Sequence, residues 1–179
     1  LFGKNVQGGS TITQQLVKNV TGDNQVTVKR KITEIYRALE LEKRYEKDEI
    51  LEAYLNEVYF GQRCSGVMTA ARVYFGKDVS ELSLAECASM MGITNNPSKY
   101  GPYSFAKSKT STGEVWDARQ WNKYRQEVIL GEMLKQGMIS QEEHDEAVAQ
   151  ELVFVRAEGE EAETEIYNWY EETVISDVR

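Results

Sequence analysis

Arg30, Lys31 and Glu34 fall within little more than one turn of a helix expected to begin near Thr27, so two cations and one carboxylate project together. Upstream, Thr11, Gln14, Gln15 and Lys18 follow an i, i+3, i+4, i+7 spacing that lines one helical face with amides and a further cation. Such a set can hold an anion. Arg30 offers a planar fork for phosphate oxygens, Lys18 and Lys31 offer point charges, and adjacent positive charge keeps Glu34 ionised. Taken singly, each half reads as solvated surface, and an exposed Arg30–Glu34 pair would be worth about 0.3 to 0.5 kcal/mol.

The elements that position these residues follow from local pattern. Gly8 and Gly9 permit a tight entry, Ser10 is expected to cap the first helix, and Ile12, Leu16 and Val20 should form its apolar side. A polar linker over 21–25 separates it from the second helix, whose stripe of Ile32, Ile35, Tyr36 and Leu39 should lie on the core, ending near Arg44 and Tyr45. A third helix is expected over about 47–58 on Ile50, Leu51, Tyr54, Leu55 and Val58. Residues 59–66 read as a loop between glycines, and Val67, Ala70, Ala71 and Tyr74 start a helix of small residues. Ser83 with Glu86 and Ser140 with Glu143 are capping boxes, each opening a helix, and the first of these helices should break at Asn95-Asn96-Pro97. Residues 101–114 read as a mobile surface loop, Trp116 to Lys135 as a helix, and 157–165 as a solvated acidic linker.

Composition bounds the function. The 179 residues with 41% apolar content suit one mainly helical domain with a sizeable core. Net charge is −8, yet residues 1–44 hold eight Lys/Arg against four Asp/Glu, while 132–179 hold three against fourteen. The basic end fits a small anionic group such as a diphosphate. Nucleic acid is a poor partner, because the chain is acidic overall and no stacking-aromatic motif accompanies the cations. Cys64 and Cys87 stand in no metal-ligand or disulfide spacing and read as packing residues, and His144, in an acidic helical run, as a lone solvated histidine. No metal site is expected, and no apolar run approaches the ~20 residues of a membrane span.

In order along the chain, GGSTITQQLVKN, RKITE, KDEILEAYLNEVYFG, SGVMTAARVYFGK and SLAECASMMGITNNPSKY resemble the second to fifth motifs of the peptidoglycan glycosyltransferase (transglycosylase) domain of class A penicillin-binding proteins and monofunctional glycosyltransferases. The resemblance runs densely from Gly8 to Tyr100 and departs at Thr94, where many members carry proline. It implies a mainly α, lysozyme-like glycosyltransferase domain over 1–155, followed over 156–179 by a linker towards a transpeptidase domain, since Ile166 to Val174 is similar to the segment leading into one.

The resemblance also implies polymerisation of lipid II into glycan strands, by transfer from a donor held on a polyprenyl diphosphate. Glu34 would be the catalytic carboxylate, with a positioning and electrostatic role, and Gln15, Lys18, Asn19, Arg30 and Lys31 would bind substrate. No cofactor is required, although a divalent cation (Mg or Mn) could bridge the diphosphate with oxygens supplied mostly by substrate. The implied partners are lipid II, the growing glycan chain, the membrane surface, where Leu1 and Phe2 would be the remnant of an apolar lobe, and other cell-wall synthesis proteins. The implied location is the extracytoplasmic face of the bacterial cell membrane. The family's first motif, a Glu-Asp pair carrying the general base, lies upstream of the glycine pair and does not occur before Leu1, so the 179 residues alone are expected to be inactive or nearly so. Two other readings are a lysozyme-like glycan hydrolase or lytic transglycosylase, and a non-catalytic helical scaffold that binds lipid II.

Overall fold

The computed structural model describes residues 9–22 and 25–156. The entry before Gly9, the middle of the linker over 21–25, the acidic run and the segment around Trp169 lie outside them. The chain forms two compact units, one ending at Val58 and the other beginning at Tyr59.

The first unit is three helices: α1 (Ile12–Thr21), α2 (Val28–Arg44) and α3 (Lys47–Glu57), with α1 packed on both others. Thr11, not Ser10, caps α1, its hydroxyl accepting from the Gln14 N–H at 3.2 Å, because the Ser10 hydroxyl is engaged elsewhere. Gly22 ends α1 in the left-handed conformation (φ 61°), where a side chain would be strained. The face of α1 turned inward is Thr13, Leu16 and Val17, while Ile12 and Val20 are exposed. The expected Ile12/Leu16/Val20 side is therefore rotated, since packing between α2 and α3 draws in the flank that Leu16 shares with Val17.

Thr27 caps α2 as its position predicts, and basic Lys43 and Arg44 complete the last turn. The apolar stripe of α2 departs from expectation: Ile32, Ile35, Tyr36 and Leu39 are all exposed, and the buried residues are Glu34 and Ala38. The inward face of α2 thus carries an ionised side chain whose cationic partners, Arg30 and Lys31, lie on the same helix. In α3, Ile50 and Tyr54 are buried, as is Val58 just after it, whereas Leu51 is exposed.

In the second unit, β1 (Tyr59–Gly61) and β2 (Cys64–Ser65) form an antiparallel hairpin where a loop was expected, three and two residues long, too short for a period-2 signal. Its two-residue turn puts Gln62 (φ 52°) and Arg63 (φ 57°) in the left-handed region that hairpin turns normally fill with Asn-Gly. Then follow α4 (Val67–Phe75), α5 (Leu84–Ile93), α6 (Pro97–Tyr100), β3 (Ser108–Lys109), β4 (Val115–Trp116), α7 (Ala118–Lys135) and α8 (Gln141–Ala149). The β3–β4 hairpin corrects the expected mobile loop over 101–114, and Asn96 caps α6 through the Lys99 N–H, so the chain turns into a new helix at Pro97. Thr94 ends α5 in helical geometry with its hydroxyl donating to the Met91 carbonyl at 2.9 Å, which settles the turn at that departure from the family pattern.

Both expected capping boxes are present, at Ser83/Glu86 on α5 and Ser140/Glu143 on α8. The core runs along α5, α7 and α8, where Ala85, Ala88, Leu130 and Ala147 are buried together. Gly92 lets α7 come close, since a Cβ there would stand 2.9 Å from Arg125 Cγ. Cys64 is buried, Cys87 half-buried, and both are free. His144 is not freely solvated: its ring Nδ1 lies 2.8 Å from Asp145 Oδ1 and its side chain is only 20% exposed.

Truncating Leu130, fully buried among these helices, should cost about 2 to 5 kcal/mol as Leu130→Ala. Ile32→Ala, at a position 63% exposed, should change stability by less than about 0.5 kcal/mol. Urea unfolding midpoints of the two variants check the contrast.

Candidate functional site

Glu34 is 5% exposed, and an ionised carboxylate that far from water must be paired. Arg30 Nη1 donates to Glu34 Oε2 at 2.6 Å, and Lys31 Nζ donates to Glu34 Oε1. Helix geometry makes both pairs, at i, i+4 and i, i+3. Burial works to raise the Glu34 pKa, but the hydrogen bonds from Lys31 and Arg30 and then their charges outweigh it, holding the carboxyl below its ordinary value of 4.5. Both carboxylate oxygens are committed to cations, which makes Glu34 a weak base.

The first helix meets this pair through its own polar residues. Lys31 Nζ also donates to Ser10 Oγ at 2.8 Å and to Gln14 Oε1 at 3.2 Å, joining the start of α1 to α2. Gln15 turns the other way: its Nε2 donates to the Ser10 carbonyl at 3.3 Å, and its Oε1 accepts from the Tyr54 hydroxyl of α3 at 3.4 Å. The amide stripe read from the sequence is thus divided between two neighbours. Lys18 and Asn19 are exposed, and the Asn19 carbonyl accepts from the capping Gly22 N–H at 3.3 Å. Among the described residues neither side chain is hydrogen-bonded to the Arg30–Lys31–Glu34 cluster.

Ser10, Gln14 and Tyr54 were not among the residues singled out for substrate. Gln14 stands in the polar stripe, so spacing could have found it. Nothing local could have linked Tyr54 to Gln15, 39 positions away.

An open apolar groove of about 1080 Å³ runs between α1, α2 and α3, with Leu16, Val17, Val20, Tyr36 and Ile50 on its walls. None of Gln15, Lys18, Asn19, Arg30, Lys31 or Glu34 lines it. Among the described residues no group of histidine, cysteine or carboxylate side chains is arranged to hold a metal ion, and no helix is long and apolar enough to cross a membrane.

A mainly helical chain thus carries a desolvated carboxylate between an arginine and a lysine, next to a helix of amides and one further cation. The chain belongs to the transglycosylase family, whose model matches residues 1–134. It is 36% identical over 178 residues to penicillin-binding protein 1A of Clostridium botulinum, an alignment covering 97% of this chain and 20% of that protein. It is 40% identical over 150 residues to penicillin-binding protein 1A of Aquifex aeolicus, covering 84% of this chain and 19% of that one. The crystal structure of penicillin-binding protein 1A from Haemophilus influenzae superposes with a TM-score of 0.52 at 26% identity, covering 94% of this chain and 19% of that chain. The fold is thus that of a lysozyme-like glycosyltransferase domain, and the chain spans about one fifth of these relatives.

The lowered Glu34 pKa fixes the sign of a pH dependence. A carboxyl whose folded pKa lies below its unfolded value contributes stability that is present above the unfolded value and lost as pH falls through the folded one. The stability difference between the native chain and Glu34→Gln should therefore be full near about pH 6 and shrink towards about pH 3, as read from urea midpoints across that range.

Proposed function

We propose that this chain is the glycan-polymerising part of a class A penicillin-binding protein. Membership of the transglycosylase family supports peptidoglycan glycosyl transfer, and the observation that carries the finer reading is the Glu34 carboxylate clamped by Arg30 and Lys31. In this reading the donor is a glycan chain on a polyprenyl diphosphate and the acceptor is lipid II. The acceptor hydroxyl attacks the anomeric carbon, the bond from that carbon to the diphosphate oxygen breaks, and the diphosphate leaves with the electron pair. The hydroxyl proton passes to a general base.

Glu34 is unsuited to be that base, because its charge is already stabilised by two cations; it holds them in place. The base is assigned to the family's first motif, a Glu-Asp pair. Arg30, Lys31 and Lys18 supply positive charge to the departing diphosphate, and Gln15 and Asn19 bind donor sugar or phosphate groups. A divalent cation would act through oxygens that substrate supplies. The acidic segment after Arg156 would lead to a transpeptidase domain, and the whole protein would work with other cell-wall synthesis proteins at the outer face of the cytoplasmic membrane.

The test uses the full-length protein and fluorescent lipid II, with glycan products separated on gels. Arg30→Ala should lose roughly 2 to 4 kcal/mol of transition-state stabilisation, as removal of one preorganised donor does. Arg30→Lys should recover part of it, since a point charge lacks the two-pronged contact. Polymerisation by Arg30→Ala at the native rate would defeat the reading, as would a protein that cleaves finished glycan and never extends lipid II. Binding of lipid II without turnover by the full-length protein would favour the scaffold.

A further inference from the structure

An ammonium group has three N–H donors and no acceptor. At Lys31 the three are matched by three protein oxygens: Ser10 Oγ at 2.8 Å, Gln14 Oε1 at 3.2 Å and Glu34 Oε1. Burial does not force this arrangement, since the Lys31 side chain is 39% exposed and water could have served those protons. A lysine that grips a phosphate directly needs a proton aimed at the phosphate, and each proton of Lys31 already has an acceptor.

The two oxygens from the α1 side are well suited to the task. Ser10 is relieved of helix capping by Thr11, which leaves its hydroxyl for the ammonium. Gln14 must present its amide oxygen there, because an ammonium cannot accept. These bonds bridge 21 and 17 positions of sequence and bring a cation to the first turn of α1, which contains no acidic residue. Placing positive charge at a helix N-terminus runs against the helix dipole, so the contact is not explained by helix electrostatics.

We propose that Ser10 and Gln14 are positioning residues of the glycosyl-transfer site. They act through Lys31, fixing its ammonium against Glu34, so that Lys31 contributes a stationary positive charge to the departing diphosphate and not a hydrogen bond to it. Glu34 held from one side by Lys31 presents its other oxygen to Arg30, and the whole set is in register before substrate arrives. This rests on the glycosyltransferase reading above.

The experiment is a double-mutant cycle in the full-length protein, with initial rates of lipid II polymerisation at varied substrate concentration. Ser10→Ala combined with Gln14→Ala should lower kcat about tenfold or more, the scale of lost hydrogen bonds to a charged group, while KM stays within about twofold. Ser10→Thr, which keeps the hydroxyl, should restore most of the loss caused by Ser10→Ala. In a Lys31→Ala background, measured with enzyme in excess, removing Ser10 and Gln14 oxygens should cost little more. An undiminished loss in that background overturns the proposal, because the two residues would then contact substrate themselves. A rise in KM with kcat unchanged, or no loss at all, overturns it equally. Should the double variant unfold, Ser10→Ala against Ser10→Thr in the same two backgrounds decides the question. A native protein that polymerises lipid II but gives an additive cycle loses only this inference; a native protein that does not polymerise it loses the glycosyltransferase reading as well.

Discussion

A carboxylate removed from water has to be compensated, and much of the first unit can be understood as the compensation of Glu34. The two nearest cations come from its own helix, where Arg30 and Lys31 reach one oxygen each. The face of α2 that turns inward carries Ala38 with Glu34, while Ile32, Ile35, Tyr36 and Leu39 remain exposed. The requirement then extends to α1, whose Ser10 and Gln14 oxygens complete the shell of Lys31. Burying an ion pair is rarely a net gain in stability over apolar packing, and removing one partner of such a pair is costly. The arrangement makes better sense as preorganised charge than as a device for holding helices together.

The second unit also buries polar groups, but these are mostly neutral. Asn122 Nδ2, on α7, donates to the Ser89 carbonyl of α5 at 3.2 Å and to the Tyr100 carbonyl of α6 at 2.8 Å, while the Ser89 hydroxyl donates to Asn122 Oδ1 at 2.6 Å. Gln126, one turn further on, donates to the Ala85 carbonyl at 2.9 Å. These fully buried amides fix the register of α7 against α5 beneath an apolar layer of alanines and Leu130. No charge is involved, so this contribution should be nearly indifferent to pH. Among the described residues Lys77 and Glu86 add a charged pair with a buried carboxylate: the Lys77 ammonium donates to both oxygens of Glu86, which also closes the capping box of α5.

What the residues alone disclosed depended on whether the signal was local. Capping is local, so Thr27, Ser83 and Ser140 marked their helices correctly, and Arg30 with Glu34 at i, i+4 had to meet if the helix formed. Apolar periodicity is local too, but it reports only that a face is greasy. On α2 that face stays exposed, and Glu34 and Ala38 are the buried residues. Ser10 illustrates the same limit, since a serine before a helix has two uses for its hydroxyl, and the ammonium 21 positions away determined which one prevailed. The two hairpins offer two or three residues per strand, too few for alternation to register. Gln15 with Tyr54 joins helices that no spacing rule connects.

The direction of the Glu34 shift bears on whether Glu34 itself could serve as a proton donor. A glycan hydrolase needs a carboxylic acid that keeps its proton until the leaving oxygen takes it, which calls for an apolar setting and a raised pKa. At Glu34 burial pushes that way, but Lys31 and Arg30 reverse the outcome, leaving the group anionic and poor at donating a proton. Neutral glycan gives two such cations nothing to stabilise, whereas a departing diphosphate accumulates negative charge as its bond to the sugar lengthens. Because Glu34 is their counter-ion in the absence of substrate, the cations stay ordered without being neutralised beyond use: two positive charges share one negative one. The net positive charge is what an anionic leaving group would meet; the ionised carboxylate does not create it but holds the two cations in place.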